Sequence, residues 1–249
     1  MKRVLKVAGI SVLVTVLAIG GFFGWFFSHI PKRGPDRIQA AEGVVGVFAD
    51  ASYAWIIRTR NGAALIDAGL DPKAAAILAE LRAQGLDASR VHTILLTHGH
   101  GDHYAGAIAF PAAKVWIGAA DEPLATGARQ PQAFGPQVFD KFGKRAAPAK
   151  FEHLSDGALA ADDASIEVVM TPGHTPGSAM FVYKGVLFTG DSLFGSAQGV
   201  ALPPDLFEED AAMNRRSLAR LAGVSFTRIA DGHTGVVEDA KPKLAALGP

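Results

Sequence analysis

The sequence predicts an α+β domain made of two similar halves, each a set of strands followed by helices, with the sheets stacked and the helices outside. One N-terminal transmembrane helix precedes it. Three observations carry this expectation. The pattern of strands followed by helix occurs twice, once before residue 86 and again between residues 165 and 222. Val91-His92-Thr93-Ile94-Leu95-Leu96 is an apolar, β-rich run of the kind buried on both faces of a sheet. Residues Val7 to Phe27 form 21 consecutive uncharged, mostly apolar positions.

As a helix, that N-terminal run would extend about 30 Å, enough to cross a bilayer core. Phe22-Phe23-Gly24-Trp25-Phe26-Phe27 would then set aromatic rings at the far interface. A cleaved secretory signal is the competing reading, but its apolar region is usually shorter and ends in small residues rather than bulky aromatics. Residues 1–30 are therefore read as a membrane anchor and 31–43 as a linker, with 44–249 as the folded domain. Lys2, Arg3 and Lys6 on one side face Lys32, Arg33 and Arg37 on the other, so the charge count does not orient the span. A short tail ahead of a single span normally stays inside. The domain is accordingly expected outside the cytoplasm, in the periplasm, or secreted if the segment is cleaved.

In the domain, Val44–Phe48, Tyr53–Arg60 and Ala63–Asp67 read as strands, the last two joined at Asn61-Gly62. Asp71-Pro72 supplies a helix start, Ile77, Leu78 and Leu81 an apolar face, and Gly85 a stop. The strand at 91–97 leads into a loop, followed by a helical start near Tyr104 and a strand at Lys114–Ile117. From 119 to 150 the pattern is lost among four prolines and the phenylalanines 134, 139 and 142. A stretch of this kind reads equally as a partly helical lid over a site and as a packed insertion. Ser165–Thr171, Ser178–Tyr183 and Val186–Thr189 are further strands. An amphipathic helix follows at Glu208–Ala222, then a strand at Phe226–Ala230 and a terminal helix at Ala240–Leu247.

The chemistry concentrates in Thr97-His98-Gly99-His100-Gly101-Asp102-His103, where three imidazoles and a carboxylate fall within six residues at the end of a strand. The chain has only eight histidines, so this clustering points to a metal. Imidazole and carboxylate donors suit zinc, and also iron or manganese. Two glycines are expected to turn the backbone tightly so that the side chains converge. Three isolated candidates follow other strands: His174 in Pro172-Gly173-His174-Thr175-Pro176-Gly177, Asp191 in Thr189-Gly190-Asp191, and His233 in Gly232-His233. Singly, each also reads as a turn residue, a helix cap or a surface histidine. His29, His92 and His153 read as structural or solvated. Basic and acidic residues balance at 24 each, which argues against a nucleic-acid partner. The absence of cysteine excludes disulfides, a thiolate nucleophile and thiolate-bound zinc.

Through THGHGDH, PGHTPG, TGD and GH, the sequence from Val44 onward resembles the metallo-β-lactamase-fold superfamily. The resemblance implies a four-layer αββα sandwich of two mixed sheets, with a dinuclear centre at one edge. It implies that His98, His100 and His174 hold one metal, that Asp102, His103 and His233 hold the other, and that Asp191 bridges them. Asp102 could also relay a proton. Asp67, in Leu65-Ile66-Asp67-Ala68-Gly69, would orient a ligand imidazole, although a role at the helix start explains it equally well.

The expected activity is hydrolysis of a small-molecule ester, thioester, lactone or lactam by a metal-bridging hydroxide, with two zinc ions as cofactors. All seven candidate ligands resemble those of glyoxalase II enzymes, but only 16 residues follow His233, where those enzymes carry a helical domain. That difference argues against a glutathione thioester. The cysteine ligand of β-lactamase subclasses B1 and B2 is absent, and Asp191 sets the chain apart from subclass B3. Neither a basic patch nor an insertion resembles the RNA-binding arm of tRNA-processing members. Two alternatives stay open: an iron persulfide dioxygenase using His98, His174 and Asp191, and a membrane-tethered binding domain without activity.

Overall fold

The computed structural model describes residues 17, 20–22, 24, 25, 28, 30, 32–141, 145–196 and 199–246. The chain divides into two compact units, 1–32 and 33–249. In the first, the helical residues described are 17, 20–22, 24, 25 and 28, three of them glycines. Among the described residues no helix is long and apolar enough to cross a membrane. A span needs about 20 consecutive apolar residues in one helix, and the described helical residues supply no such run. This corrects the expected transmembrane helix over 1–30, and with it the membrane partner and the membrane-anchored, periplasmic placement. The rest of the Val7–Phe27 run, the signal-cleavage alternative and His29 fall outside the described residues.

The second unit begins earlier than the expected domain. Arg37–Ala41, within the stretch read as linker, forms strand β1. It pairs antiparallel with β2 (Val44–Ala49), which pairs with β3 (Ser52–Arg58), and β3 pairs with β4 (Ala63–Ile66). The sheet continues in parallel through β5 (Val91–Leu95), β6 (Lys114–Ile117) and β7 (Glu152–His153), giving seven strands in the order β1 to β7. The second sheet contains β8 (Gly157–Ala161), β9 (Ala164–Met170), β10 (Ala179–Tyr183) and β11 (Val186–Gly190). With β14 (Arg228–Asp231) and β15 (Val236–Val237) it has six strands, in the order β15-β14-β11-β10-β9-β8. β12 (Phe194–Ser196) and β13 (Gly199–Ala201) pair antiparallel as a separate two-stranded sheet.

Period-two alternation assigns each apolar side chain to a layer. Trp55, Ile57, Ile66 and Leu95 pack against Ile166, Val168, Phe181 and Phe188 between the sheets. Ala54, Ile56, Leu65 and Ile94 turn the other way, toward Ile77 and Leu81 of α1 (Ala75–Ala83). Met180, Val182, Leu187 and Ile229 meet Leu218 of α5 (Ala211–Ala219) and Leu221 on the far side. The layers therefore run helix, sheet, sheet, helix. Central strands are buried on both faces, which is why they read as continuous apolar runs. Gly46 lies opposite Trp55, and any Cβ there would fall 2.4 Å from the indole, so glycine makes room for the largest inter-sheet side chain.

Two helix starts differ from expectation. Helix α1 begins at Ala75, and Asp71 accepts bonds from the Lys73 and Ala75 amides at 2.9 and 2.8 Å, capping it from further upstream. Helix α5 begins at Ala211 because Asp210 accepts from the Met213 amide at 2.7 Å. Glu208 therefore lies outside the helix. In the 119–150 stretch, α3 (Glu122–Ala125) and α4 (Phe134–Asp140) form, and Phe139 stacks on Phe207 at 6.5 Å. Phe142 lies outside the described residues. The short α2 (Gly101–Tyr104) and α6 (Ala240–Ala245) complete the unit.

Candidate metal centre

The loops that leave the C-terminal ends of β4, β5, β9, β11 and β14 converge along one edge of the two sheets. Backbone bonds tie the sheets together there, from the Ala179 amide to the Thr97 carbonyl at 2.8 Å and from the Tyr53 amide to the Gly232 carbonyl at 2.7 Å. All seven side chains nominated by the motifs meet at this edge. His98, His100 and His174 form one group whose donor atoms lie within 4.8 Å of one another; His98, His103 and Asp191 form a second, and Asp102, His103 and His233 a third.

Within the first group, His98 Nε2 lies 2.9 Å from His100 Nδ1, which is 3.2 Å from His174 Nε2. Asp191 faces both sides. Its Oδ1 is 3.3 Å from His103 Nε2, and its Oδ2 is 3.0 Å from His233 Nε2 and 3.9 Å from His174 Nε2. Asp102 Oδ2 approaches His103 Nε2 at 3.7 Å and His233 Nε2 at 3.8 Å.

The far side of most rings is held. His103 Nδ1 lies 2.8 Å from Asp67 Oδ2, which also accepts from Thr97 Oγ1 at 2.8 Å, while Asp67 Oδ1 accepts from the Thr97 amide. Because Thr97 Oγ1 donates to Asp67, it is free to accept from His98 Nδ1 at 3.0 Å, which turns the His98 Nε2 lone pair toward the cluster. His233 Nδ1 donates to the Ala51 carbonyl at 2.8 Å. Glu208 Oε1 stands 3.5 Å from His174 Nδ1. The two readings of Asp67 are thereby separated: its carboxylate serves Thr97 and His103, while Asp71 serves the helix start.

Burial, followed by the neighbouring imidazoles, pulls His98 and His100 well below the ordinary histidine range. Burial acts the same way on His103, but Asp191, Asp67 and Asp102 overcome it and hold that ring well above the range. His233 is likewise pushed up to about 9, against burial, chiefly by Asp191. Asp191 is held well below the carboxylate range despite its burial, by His233 and His103.

These residues fit a metal. Among the described residues, His103 Nε2 and Asp191 Oδ1 are buried in the cluster and face each other at 3.3 Å without forming a hydrogen bond of good geometry. Leaving such groups unmade is costly, and a bound cation satisfies them. Imidazoles plus carboxylates, with no cysteine in the chain, form a donor set suited to zinc, iron or manganese.

Some contributors escape sequence reading. Glu208 sits inside an amphipathic stretch and reads as a helical surface residue; only the cap at Asp210 shows that it precedes the helix. Asp231 accepts from the His233 and Thr234 amides at 2.7 and 2.6 Å and from the Gly195 amide at 2.8 Å, shaping the turn that presents His233. The expected role of the motif glycines also changes. Neither Gly99 nor Gly101 has a positive φ. A Cβ on Gly101 would come within 3.0 Å of the Arg145 side chain and one on Gly99 within 2.9 Å of the Asp121 carbonyl, so these residues permit close approach rather than a left-handed turn.

The metallo-beta-lactamase superfamily model matches residues 47–233. Among curated proteins, the hydroxyacylglutathione hydrolase of Aeromonas hydrophila is 32% identical over 181 residues, covering 70% of this chain and 57% of that protein. The hydroxyacylglutathione hydrolase of Alkalilimnicola ehrlichii is 34% identical over 194 residues, covering 76% and 63%. The chain thus spans about three fifths of the length of these curated relatives. Among solved structures, a metallo-beta-lactamase family protein from Thermus thermophilus aligns with a TM-score of 0.65 at 26% identity, covering 83% of this chain and 78% of that one. The Rm3 metallo-beta-lactamase aligns with a TM-score of 0.68 at 20% identity, covering 87% and 91%, a likeness of fold. The chain belongs to the metallo-beta-lactamase superfamily, and its curated relatives named above are hydrolases.

Proposed function

We propose that the chain is a dinuclear zinc hydrolase that cleaves a small-molecule ester, thioester, lactone or lactam, with a thioester the first substrate to test. The observation that carries the reading is the pair of donor groups on either side of Asp191, one buried and one partly open, with His103 Nε2 and Asp191 Oδ1 facing each other at 3.3 Å without a well-formed hydrogen bond. Family membership supports hydrolysis. The name borne by the hydroxyacylglutathione hydrolases directs attention to thioesters.

In this reading His98, His100 and His174 hold the first ion, Asp102, His103 and His233 hold the second, and Asp191 serves both. When bound, such a pair supplies hydroxide from water near neutral pH and polarises a carbonyl oxygen. The protein's part is to keep each donor atom bare and aimed. Thr97 and the Ala51 carbonyl hold the Nδ1 protons of His98 and His233, and Asp67 does so for His103. Glu208 stands behind His174 for the same purpose. Asp102, with its side chain 29% exposed against 12% for Asp191, is the carboxylate of the set most open to solvent. No side-chain nucleophile is required.

The test is metal content by plasma emission on protein purified without added metal or chelator, followed by assays on thioesters, lactones and β-lactams. About two zinc ions per chain with turnover of one of these classes supports the reading. One iron per chain with oxygen consumption would replace it by a dioxygenase. No metal even after reconstitution would leave a domain without activity.

A further inference from the structure

Asp121 is fully buried, and it lies in the 119–150 stretch where the sequence pattern is lost. Its carboxylate receives three hydrogen bonds from two different loops. Oδ2 accepts from the Gly99 amide at 2.8 Å and from Thr175 Oγ1 at 2.5 Å; Oδ1 accepts from the Gly177 amide at 2.8 Å. Gly99 separates His98 from His100, while Thr175 and Gly177 follow His174. One carboxylate from the turn that follows β6 thus grips both loops that carry the three-histidine group.

Three glycines make this grip sterically feasible. A Cβ on Gly177 would fall 2.7 Å from Asp121 Cβ, one on Gly99 2.9 Å from the Asp121 carbonyl oxygen, and one on Gly118 2.0 Å from the Gly177 carbonyl oxygen. No ordinary side chain fits at any of them, so the loops close on the carboxylate at backbone distance. Arg129 supplies countercharge, with Nη2 4.0 Å from Asp121 Oδ1 and Nη1 on both Glu209 oxygens at 2.9 and 2.8 Å. The Glu209 amide in turn donates to the His174 carbonyl at 3.1 Å. Among the described residues Asp121 makes no such bond to Asp102, His103 or the loop of His233; Asp102 and His103 share the gripped loop but lie beyond Gly99 toward the start of α2.

We infer that Asp121 is a positioning residue that acts foremost on the first metal: by clamping Gly99, between His98 and His100, to the His174 loop it sets the three-histidine group directly, and it reaches Asp102 and His103 only through the chain that follows Gly99. This rests on the dinuclear reading above. The variant to make is Asp121→Asn, because an amide accepts on one side only and must oppose either Gly177 or the Gly99–Thr175 pair with its own N–H groups. Zinc titration against a competing chelator, with histidine ring nitrogens followed by NMR, reports each group separately. His103 and His233 should respond to zinc as in the unaltered chain, while His98, His100 and His174 should require about 10–100-fold more. Equal filling of both groups, or equal weakening of both, overturns the inference. If Asp121→Asn does not fold, Thr175→Val removes one of the three bonds and carries the same comparison at smaller size. Should the unaltered chain fail to take two ions, the dinuclear reading falls first. Asp121 is then judged on metal-free protein by amide exchange, where Gly99 and Gly177 should both exchange faster in the variant, and unchanged exchange refutes the clamp.

Discussion

The two halves of the candidate centre are built on opposite electrostatic plans. Around His98, His100 and His174 the environment is dominated by other imidazoles, and burial pulls His98 and His100 down into the neutral form. Around His103 and His233, Asp191 outweighs burial and both rings are pulled up, with Asp67 and Asp102 adding to the effect on His103. In one half His98 and His100 offer bare lone pairs that invite a cation by coordination alone. The other carries net negative charge that two metal-free imidazoles partly neutralise by taking up protons. The two positions are therefore not interchangeable, and their supports are separate except at Asp67 and Asp191.

The largest effect is expected from Asp191→Ala, which removes the one group that faces both halves. Both ions should weaken, and turnover should fall by more than the roughly 10–100-fold that loss of a supporting partner costs; circular dichroism should show the sheets intact. A variant that keeps two metals and full activity breaks the comparison at its centre. Next comes Asp67→Asn, which disturbs His103 directly and His98 only through Thr97. Chelator competition should show a loss of about 10–100-fold for the second ion and a smaller one for the first. Glu208→Gln should act in reverse order, on the first ion only. Its 3.5 Å approach to His174 is longer than a good hydrogen bond, so the loss should stay below about tenfold.

The smallest effect lies outside the centre, at the ion pair of Arg37 on β1 and Glu80 on α1, 2.8 Å apart. The Arg37 hydrogen bond is the chief influence holding the Glu80 carboxyl below its ordinary 4.5, against partial burial. A lowered folded-state value means stability that is present above 4.5 and lost as the pH falls through the folded value. Arg37 is 56% exposed, so Arg37→Ala should cost only about 0.2–1 kcal/mol at pH 7. Thermal melts of the two proteins should converge as the pH falls below 4.5 and through the lowered folded-state value.

What could be read from the sequence depended on how locally each feature is encoded. His98, His100, Asp102 and His103 could be nominated because they crowd into six residues after an apolar strand. His174, Asp191 and His233 each follow a strand whose apolar run is plain. Strands buried on both faces, such as β4 and β11, are legible for the same reason, whereas β5, expected to be buried on both faces, leaves His92 exposed. Strand β1 is not, because it is a short edge strand half open to solvent, with a charged residue at its start. Asp121 and Glu208 act through tertiary contacts with loops 22 to 56 residues away, and nothing in their own neighbourhoods distinguishes them from surface carboxylates. The apolar run at 7–27 shows the opposite failure. Composition alone suggested a membrane span, and no described helix has the length and apolarity to form one.

The spacing of the seven side chains also bears on how the chain folds. Four of them lie between residues 98 and 103, while His174, Asp191 and His233 come from the second sheet. The local cluster can capture a divalent ion in the unfolded chain, since no long loop has to close first. The complete set exists only after both sheets have docked. Mass action stabilises the native state only by the difference between native and unfolded affinities. Added zinc should therefore raise the melting temperature by less than its native affinity alone implies, with the shortfall set by how strongly the segment 98–103 binds before the rest of the chain arrives.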